Sequence, residues 1–258
     1  MRILILGTGR MGAWLTEELC LDHEVCVYDS DIARMKYFIK VRRMTDLAEA
    51  KEFDPELLIN CVPLGLTVEV FKSIMPYIGK LCILADIASV KTGMAEFYRE
   101  AGRPFVSTHP MFGPTFANIR ELHDESAAII SESDPKGKEF FKALYSRLGI
   151  RLFEYDFEGH DKMIAYSLGT PFASTMVFAS CMKRQETPGT NFKRHMTIAK
   201  GLLSEDDRLL TEIMFNPFTI RQLELINSKL SYLTHIIRQR DSEEMKKFLD
   251  GLRENIED

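Results

Sequence analysis

By its twenty-ninth residue the chain has restricted itself to one kind of fold. Gly7-Thr8-Gly9-Arg10-Met11-Gly12 has the spacing GxGxxG, and it lies between an apolar run, Arg2 to Leu6, and a segment of helical periodicity, Arg10 to Leu21. In that context Gly7 permits the tight turn, Gly9 lets the backbone approach a pyrophosphate, and Gly12 allows close packing of helix on strand. The helix start then offers unpaired N–H groups to phosphates. A second apolar run, His23 to Tyr28, ends at Asp29, seventeen residues after Gly12. A carboxylate there can accept the ribose hydroxyls of a bound dinucleotide. It would also repel a 2′-phosphate, so the expected cofactor is NAD in preference to NADP. Arg34 is the nearby residue that could favour NADP, and Asp31 answers it with further negative charge.

The rest of the first half continues the alternation of strand and helix. Short apolar runs at Leu57 to Val62, Leu81 to Ala85, Phe105 to Ser107, Ala127 to Ser131 and Arg151 to Tyr155 are separated by helix-like segments such as Val68 to Met75 and Lys91 to Ala101. This pattern implies a parallel, doubly wound α/β sheet of the Rossmann type. Val62-Pro63 follows the third run, which places it at the carboxyl edge of the sheet where a dinucleotide passes. The candidate cofactor-binding residues are therefore Gly7, Gly9, Arg10, Met11, Gly12, Asp29, Val62 and Pro63. After Tyr155 strand-like runs give way to segments with apolar residues at helical spacing: Gly159 to Lys183, Lys193 to Leu203, Glu205 to Ile213, Ile220 to Ile237 and Ser242 to Ile256. The expected division is an α/β domain over 1–155 and an all-α domain over 156–258, in keeping with 258 residues.

Composition excludes several classes. The formal charge is −5 and the isoelectric point about 5.8, which argues against a nucleic-acid or anionic-membrane binder. The five cysteines form no CxxC pair and are odd in number, so neither a metal site nor a disulfide framework is expected, and a reducing cytoplasm fits. No stretch of 18 apolar residues is present to span a membrane, and the N-terminal apolar run stops at Gly7 without a cleavage site.

Two further segments follow strands directly. Asp86-Ile87-Ala88-Ser89-Val90-Lys91 comes after Leu81 to Ala85, and His109-Pro110-Met111-Phe112-Gly113-Pro114 comes after Phe105 to Ser107. Both belong at carboxyl ends of strands, where open α/β sheets bind their ligands. A histidine held by a neighbouring proline in such a loop suits a general base. Ser89 can share a proton network with it. The alternative for Ser89 is to cap a helix starting near Lys91.

With GTGRMG, DIASVK, STHPMFGP, HDKMIAYSLGTPFA and FKRHMTIAKGLLSED in this order, the chain resembles the prephenate dehydrogenase family over nearly its whole length. The resemblance implies NAD-dependent oxidative decarboxylation of prephenate, or of its amino analogue arogenate, on the way to tyrosine. It implies that His109 accepts the proton of the ring hydroxyl, that Ser89 orients the hydroxyl or the histidine, and that the helical domain makes a homodimer. A cation for the substrate carboxylates comes, by the same resemblance, from Lys193, with Arg194 as the alternative. Lysine offers a point charge where the family has the bidentate fork of arginine.

Phe172 is a second departure, since many members carry a histidine there; Thr170, Ser167 and Tyr166 are the nearby polar groups. His160 and Asp161 also match the family and are read as interdomain or capping residues. His23, His123 and His235 have no partner that sequence identifies. Two other function classes remain open: reductases of imines or β-hydroxy acids, which would not need DIASVK with HPMFGP, and a non-catalytic NAD sensor, which would have no use for His109 and Ser89.

Overall fold

The computed structural model describes residues 1–113, 122–183 and 186–257. Pro114 of the HPMFGP motif lies outside the described residues, as do Arg184 and Gln185 between the segments Gly159 to Lys183 and Lys193 to Leu203. The chain forms two compact units. The first comprises Met1–Ile164 together with Glu205–Asn216, the second Ala165–Ser204 together with Pro217–Asp258.

The first unit is built on an eight-stranded sheet in the order β3-β2-β1-β4-β5-β6-β7-β8. Its strands are β1 (Arg2–Leu6), β2 (Glu24–Tyr28), β3 (Arg42–Arg43), β4 (Leu57–Asn60), β5 (Ile83–Asp86), β6 (Phe105–Pro110), β7 (Ser126–Ile130) and β8 (Arg151–Tyr155). Pairing is parallel except between β6 and β7. The chain reverses direction of growth between β1 and β4, which makes their carboxyl ends the switch point where a dinucleotide is bound in such sheets. β1 from Ile3 to Leu6 and β4 from Leu57 to Ile59 are continuously apolar because helices cover both faces: Ile3, Ile5, Leu57 and Ile59 enter one core with Trp14 and Leu15, and Leu4, Leu6 and Leu58 enter the other with Phe71 and Ile74. The two-residue strand β3 carries no apolar run, so the periodicity did not announce it.

The helices of this unit are α1 (Arg10–Leu19), α2 (Ala50–Phe53), α3 (Leu64–Ile74), α4 (Met94–Ala101), α5 (Pro135–Arg147) and α6 (Phe157–Ile164). The second unit holds α7 (Thr170–Cys181), α8 (Thr190–Leu202), α10 (Thr219–Gln239) and α11 (Ser242–Glu254), while α9 (Asp207–Met214), between α8 and α10 in sequence, belongs to the first. The segment expected as one long helix from Gly159 is divided. After α6 the chain takes a π-helical stretch over Ala165–Gly169 before α7 begins. Asn216, which follows α9, is buried and donates through Nδ2–H to the Asp161 carbonyl at 2.7 Å, tying residues 205–216 to α6. No helix among the described residues is long and apolar enough to cross a membrane.

Candidate active site

The glycine loop has the geometry its spacing implies. Gly7 adopts φ +86°, and a Cβ placed there would come within 2.9 Å of Val62 Cγ1. A Cβ at Gly12 would lie 1.9 Å from the Gly7 carbonyl oxygen, so α1 can approach β1 this closely only with glycine. Around Gly9 the space is open. No side chain caps α1, and its first turn carries no carboxylate. The start of α3 is different, because the Glu212 carboxylate of α9 accepts the Gly65 N–H at 3.3 Å; burial raises the pKa of that carboxyl.

Asp29 is buried at the end of β2. Its Oδ2 accepts the Thr8 N–H at 2.7 Å and the Thr8 hydroxyl at 2.9 Å, while Oδ1 accepts the Asp31 N–H at 2.9 Å. A carboxylate offers about four lone-pair directions, so it first braces the glycine loop and retains about one direction for a ribose hydroxyl. Arg34 is drawn to Asp31 at 3.5 Å. Arg10 is exposed at the start of α1, and Met11 packs partly against the core. Val62 and Pro63 follow β4 as expected: Val62 N–H donates to Asn60 Oδ1, and Pro63 precedes the first residue of α3. These residues fit a dinucleotide in shape and in donor and acceptor chemistry.

The second half of the site lies on β5 and β6. The expectation of His109 in a loop is corrected, because β6 runs through Pro110. Its first half pairs with β5, and its second half pairs antiparallel with β7, His109 opposite Ala128. Proline is tolerated there because it ends the strand. Phe112, in the same motif, packs edge-on against Trp14 of α1 with ring centroids 5.4 Å apart, which ties the segment after His109 to the nucleotide helix.

His109 is buried, and its Nδ1 lies 3.1 Å from His160 Nε2. His160 Nδ1 in turn lies 2.9 Å from Asp161 Oδ1. The same Oδ1 accepts the Lys91 backbone N–H at 2.7 Å, and Oδ2 accepts the Thr92 hydroxyl at 2.9 Å. The Lys91 side chain is fully buried; Nζ donates to Asp86 Oδ1 at 2.6 Å and to the Thr108 carbonyl at 2.7 Å, while Tyr98 OH donates to Asp86 Oδ2. Burial, and then the charges of His160 and Lys91, hold the pKa of His109 well below the usual imidazole value. His160 is also lowered by burial, against which the bond to Asp161 acts. His109 is therefore a neutral imidazole near pH 7, the form a base requires.

Ser89 is half-buried in the segment between β5 and α4. It is not a helix cap, since α4 starts at Met94 behind Gly93 and has no side-chain cap. β5 and β6 are neighbours, so Ser89 and His109 follow or end adjacent strands at one edge of the sheet.

In the second unit, Lys193 and Arg194 are exposed on the first turns of α8, and their side chains form no ion pair among the described residues. Phe172 is half-buried in α7, and Thr170 Oγ1 is buried without a hydrogen-bond partner among the described residues.

The model of the prephenate dehydrogenase nucleotide-binding domain matches residues 14–149, more than half of the chain. The chain belongs to the prephenate dehydrogenase family. A probable arogenate/prephenate dehydrogenase from Methanocaldococcus jannaschii is 24% identical over 95% of this chain, which spans 58% of that protein's length. Among solved structures, the fold matches prephenate dehydrogenase of A. aeolicus in complex with hydroxyphenyl propionate and NAD+, with a TM-score of 0.84 at 19% identity over 99% of this chain and 96% of that one. It also matches Synechocystis arogenate dehydrogenase, with a TM-score of 0.74 at 18% identity over 99% and 98% of the two chains. The stretch matching the prephenate dehydrogenase domain contains Asp29, Ser89 and His109; Gly7 to Gly12 precede it, and Lys193 and Arg194 follow it.

Sequence reasoning underweighted His160 and Asp161. The usable signal is two adjacent titratable residues, His160 and Asp161, separated only by Lys162 from the apolar run Met163 to Ala165, a setting in which a buried polar pair must find partners. His23 and His123 have no such setting: the His23 ring packs on Phe140, and His123 pairs at the surface with Asp124. Among the described residues no group of three or more potential ligands gathers around a metal position.

Proposed function

We propose that this chain is an NAD-dependent dehydrogenase that oxidatively decarboxylates prephenate to 4-hydroxyphenylpyruvate in tyrosine synthesis. The observation that carries this reading is the buried, neutral His109 on the strand next to the one that Ser89 follows, at the carboxyl edge of a sheet whose glycine loop has the shape of a dinucleotide site. NAD supplies the hydride acceptor. Gly7, Gly9 and Gly12, with Arg10 and Met11 at the start of α1, bind its pyrophosphate, and Asp29 takes a ribose hydroxyl. Val62 and Pro63 line the far side of the loop. The Asp29 carboxylate at the end of β2, with Asp31 beside Arg34 at 3.5 Å, supports NAD over NADP.

His109 accepts the proton of the ring hydroxyl as hydride leaves the same carbon, an effect worth about 10²–10⁴ in rate for a positioned base. Ser89 orients that hydroxyl or the histidine. Lys193 is the cation for a substrate carboxylate, with Arg194 as the alternative; their exposure at the start of α8 supports such a role. The helical unit makes a homodimer. In its support, α10 buries only Thr219 and Ile236 of its 21 residues, and Ile220, Leu225 and Leu230 are each more than half exposed. The free thiols at Cys20, Cys26, Cys61, Cys82 and Cys181 support a cytoplasmic setting.

Phe172 favours a second substrate within the same chemistry. A phenyl ring in place of the family's histidine removes a polar contact to the side chain, and arogenate differs from prephenate only there. The test is reduction of NAD followed by nicotinamide absorbance, with prephenate and arogenate supplied separately and each repeated with NADP. Turnover of prephenate with NAD is the expected result, and turnover of arogenate alone makes Phe172 the residue to study. NAD binding without turnover of either overturns the proposed activity.

A further inference from the structure

His109 is held from behind by buried polar groups, and their hydrogen-bonding capacities determine which of its ring nitrogens carries the proton. The Asp161 carboxylate is an acceptor. It already takes the Lys91 N–H and the Thr92 hydroxyl, so His160 must present Nδ1–H to Oδ1 across 2.9 Å. A neutral imidazole with hydrogen on Nδ1 has its lone pair on Nε2. That lone pair faces His109 Nδ1 at 3.1 Å, so His109 must carry its hydrogen on Nδ1. Nε2 of His109 is then the bare, basic nitrogen.

We propose that His160 and Asp161 are positioning residues that keep His109 in this tautomer and take over the charge it gains in the reaction. The inference rests on His109 being the base, as assigned above. In the step, the O–H bond of the substrate breaks, its proton goes to His109 Nε2, and its electron pair becomes the second bond of the new carbonyl as hydride departs. The hydrogen on His109 Nδ1 crosses to His160 Nε2. His109 ends neutral, and His160 ends as an imidazolium whose Nδ1–H still faces Asp161.

The surroundings make such a transfer useful. Among the described residues, the charged and titratable groups that bear on the two rings are Lys91, Asp86 and Asp161, with Tyr98 bonded to Asp86; across the β7 pairing His109 meets Ala128. Lys91 and burial both oppose a cation on His109. Burial and Lys91 oppose a cation on His160 as well, but there the hydrogen bond and charge of the Asp161 carboxylate act the other way, which makes His160 the better placed of the two rings to hold the charge. The arrangement resembles a serine-protease triad in its logic, in which a buried aspartate sets the tautomer of a histidine and stabilises the imidazolium.

The test combines kinetics with a readout that does not require turnover. Three variants are compared with wild type: His160→Gln, whose amide oxygen can still accept from His109 Nδ1–H but cannot take a proton; His160→Leu, which can do neither; and Asp161→Asn. Expected losses in kcat are about tenfold for His160→Gln and about a hundredfold for His160→Leu, within the range that a general base supplies. Asp161→Asn should lose at least about tenfold, as expected when a tautomer-setting carboxylate is removed. KM and the Kd for NAD should stay within about twofold, a range too small to be a binding effect.

The acidic limb of kcat/KM should move to lower pH in Asp161→Asn, because the carboxylate that favours protonation is gone. Nitrogen-15 spectra of the wild type should show His109 protonated on Nδ1 and bare on Nε2, and His160→Leu should lose that preference. Wild-type His109 protonated on Nε2 would overturn the proposal. So would an Asp161→Asn variant with unchanged kcat and acidic limb, or losses in which kcat, KM and NAD affinity worsen together while the limb stays in place, the mark of a structural role. If wild type turns over neither substrate, the assigned function fails, and the nitrogen spectrum alone decides the positioning claim.

Discussion

The two units of the chain treat charge in opposite ways. In the sheet unit, Asp86, Lys91, His109, His160 and Asp161 are all buried, and each is committed to at least one partner within hydrogen-bond distance. In the helical unit, Lys193 and Arg194 stand in solvent on α8. A buried polar network is rigid because every unmet partner is costly, so under the proposed function the proton chemistry would be organised before substrate arrives. A solvated cation, if it takes the proposed carboxylate, would be positioned only when that anion draws it in. Substitutions in the first unit should therefore act on kcat and on stability, and those in the second on KM.

The sharpest test of that contrast is His109→Asn, which should lower kcat by about 10²–10⁴ while leaving the Kd for NAD unchanged, measured by single-turnover kinetics and by titration of the cofactor. A wild-type rate would remove the sheet unit from the chemistry. Lys91→Met comes next. It leaves Asp86 buried with Tyr98 and the Ala88 N–H but without its cation, and removing one partner of a buried pair costs about 3–5 kcal/mol. Urea unfolding measures this, and a loss below about 1 kcal/mol would show that the network is less committed than its geometry implies.

A third test uses pH. The unfolded chain protonates its histidines near pH 6.5, whereas His109 and His160 titrate lower in the folded state. Between those limits the unfolded state binds more protons. Stability therefore falls as pH drops below about 6.5, by at most about 1.4 kcal/mol per pH unit for each group, and is fully present above it. Thermal unfolding from pH 8 to pH 5 reads this, and His160→Leu should flatten the profile. The smallest effect belongs to the helical unit. Lys193→Ala should raise KM for the substrate about tenfold, roughly one lost charge-assisted bond, with unfolding unaffected. If Arg194→Ala does so and Lys193→Ala does not, the register of α8 against the family shifts by one residue.

The nucleotide half of the site was legible because it rests on local rules. Gly7 and Gly12 are demanded by a turn and a close approach within a few residues of each other, and Asp29 by the end of the next strand. Even so, the carboxylate of Asp29 turns inward to Thr8 and Asp31, which spacing alone does not reveal. Ser89 was placed correctly after β5, but the capping alternative fell away only when α4 proved to start behind Gly93. The boundary expected near residue 155 followed a change of pattern, whereas Phe157–Ile164 and Glu205–Asn216 fold with the sheet. Those segments have helical periodicity whichever unit they join, so pattern could not divide them.

What the sequence determined by itself was the alternation of strand and helix followed by a helical half, the dinucleotide loop, and the placing of DIASVK and HPMFGP after strands. Each follows from hydrophobic period and from backbone demands that act over a few residues. Only the tertiary structure decided that β6 runs through His109, that Glu212 fills the start of α3, and that His160 and Asp161 stand behind His109. These relations join residues 19 to 147 positions apart. The free energy that selects them comes from satisfying buried polar groups once the chain has folded, and no local pattern in the sequence records which groups will meet.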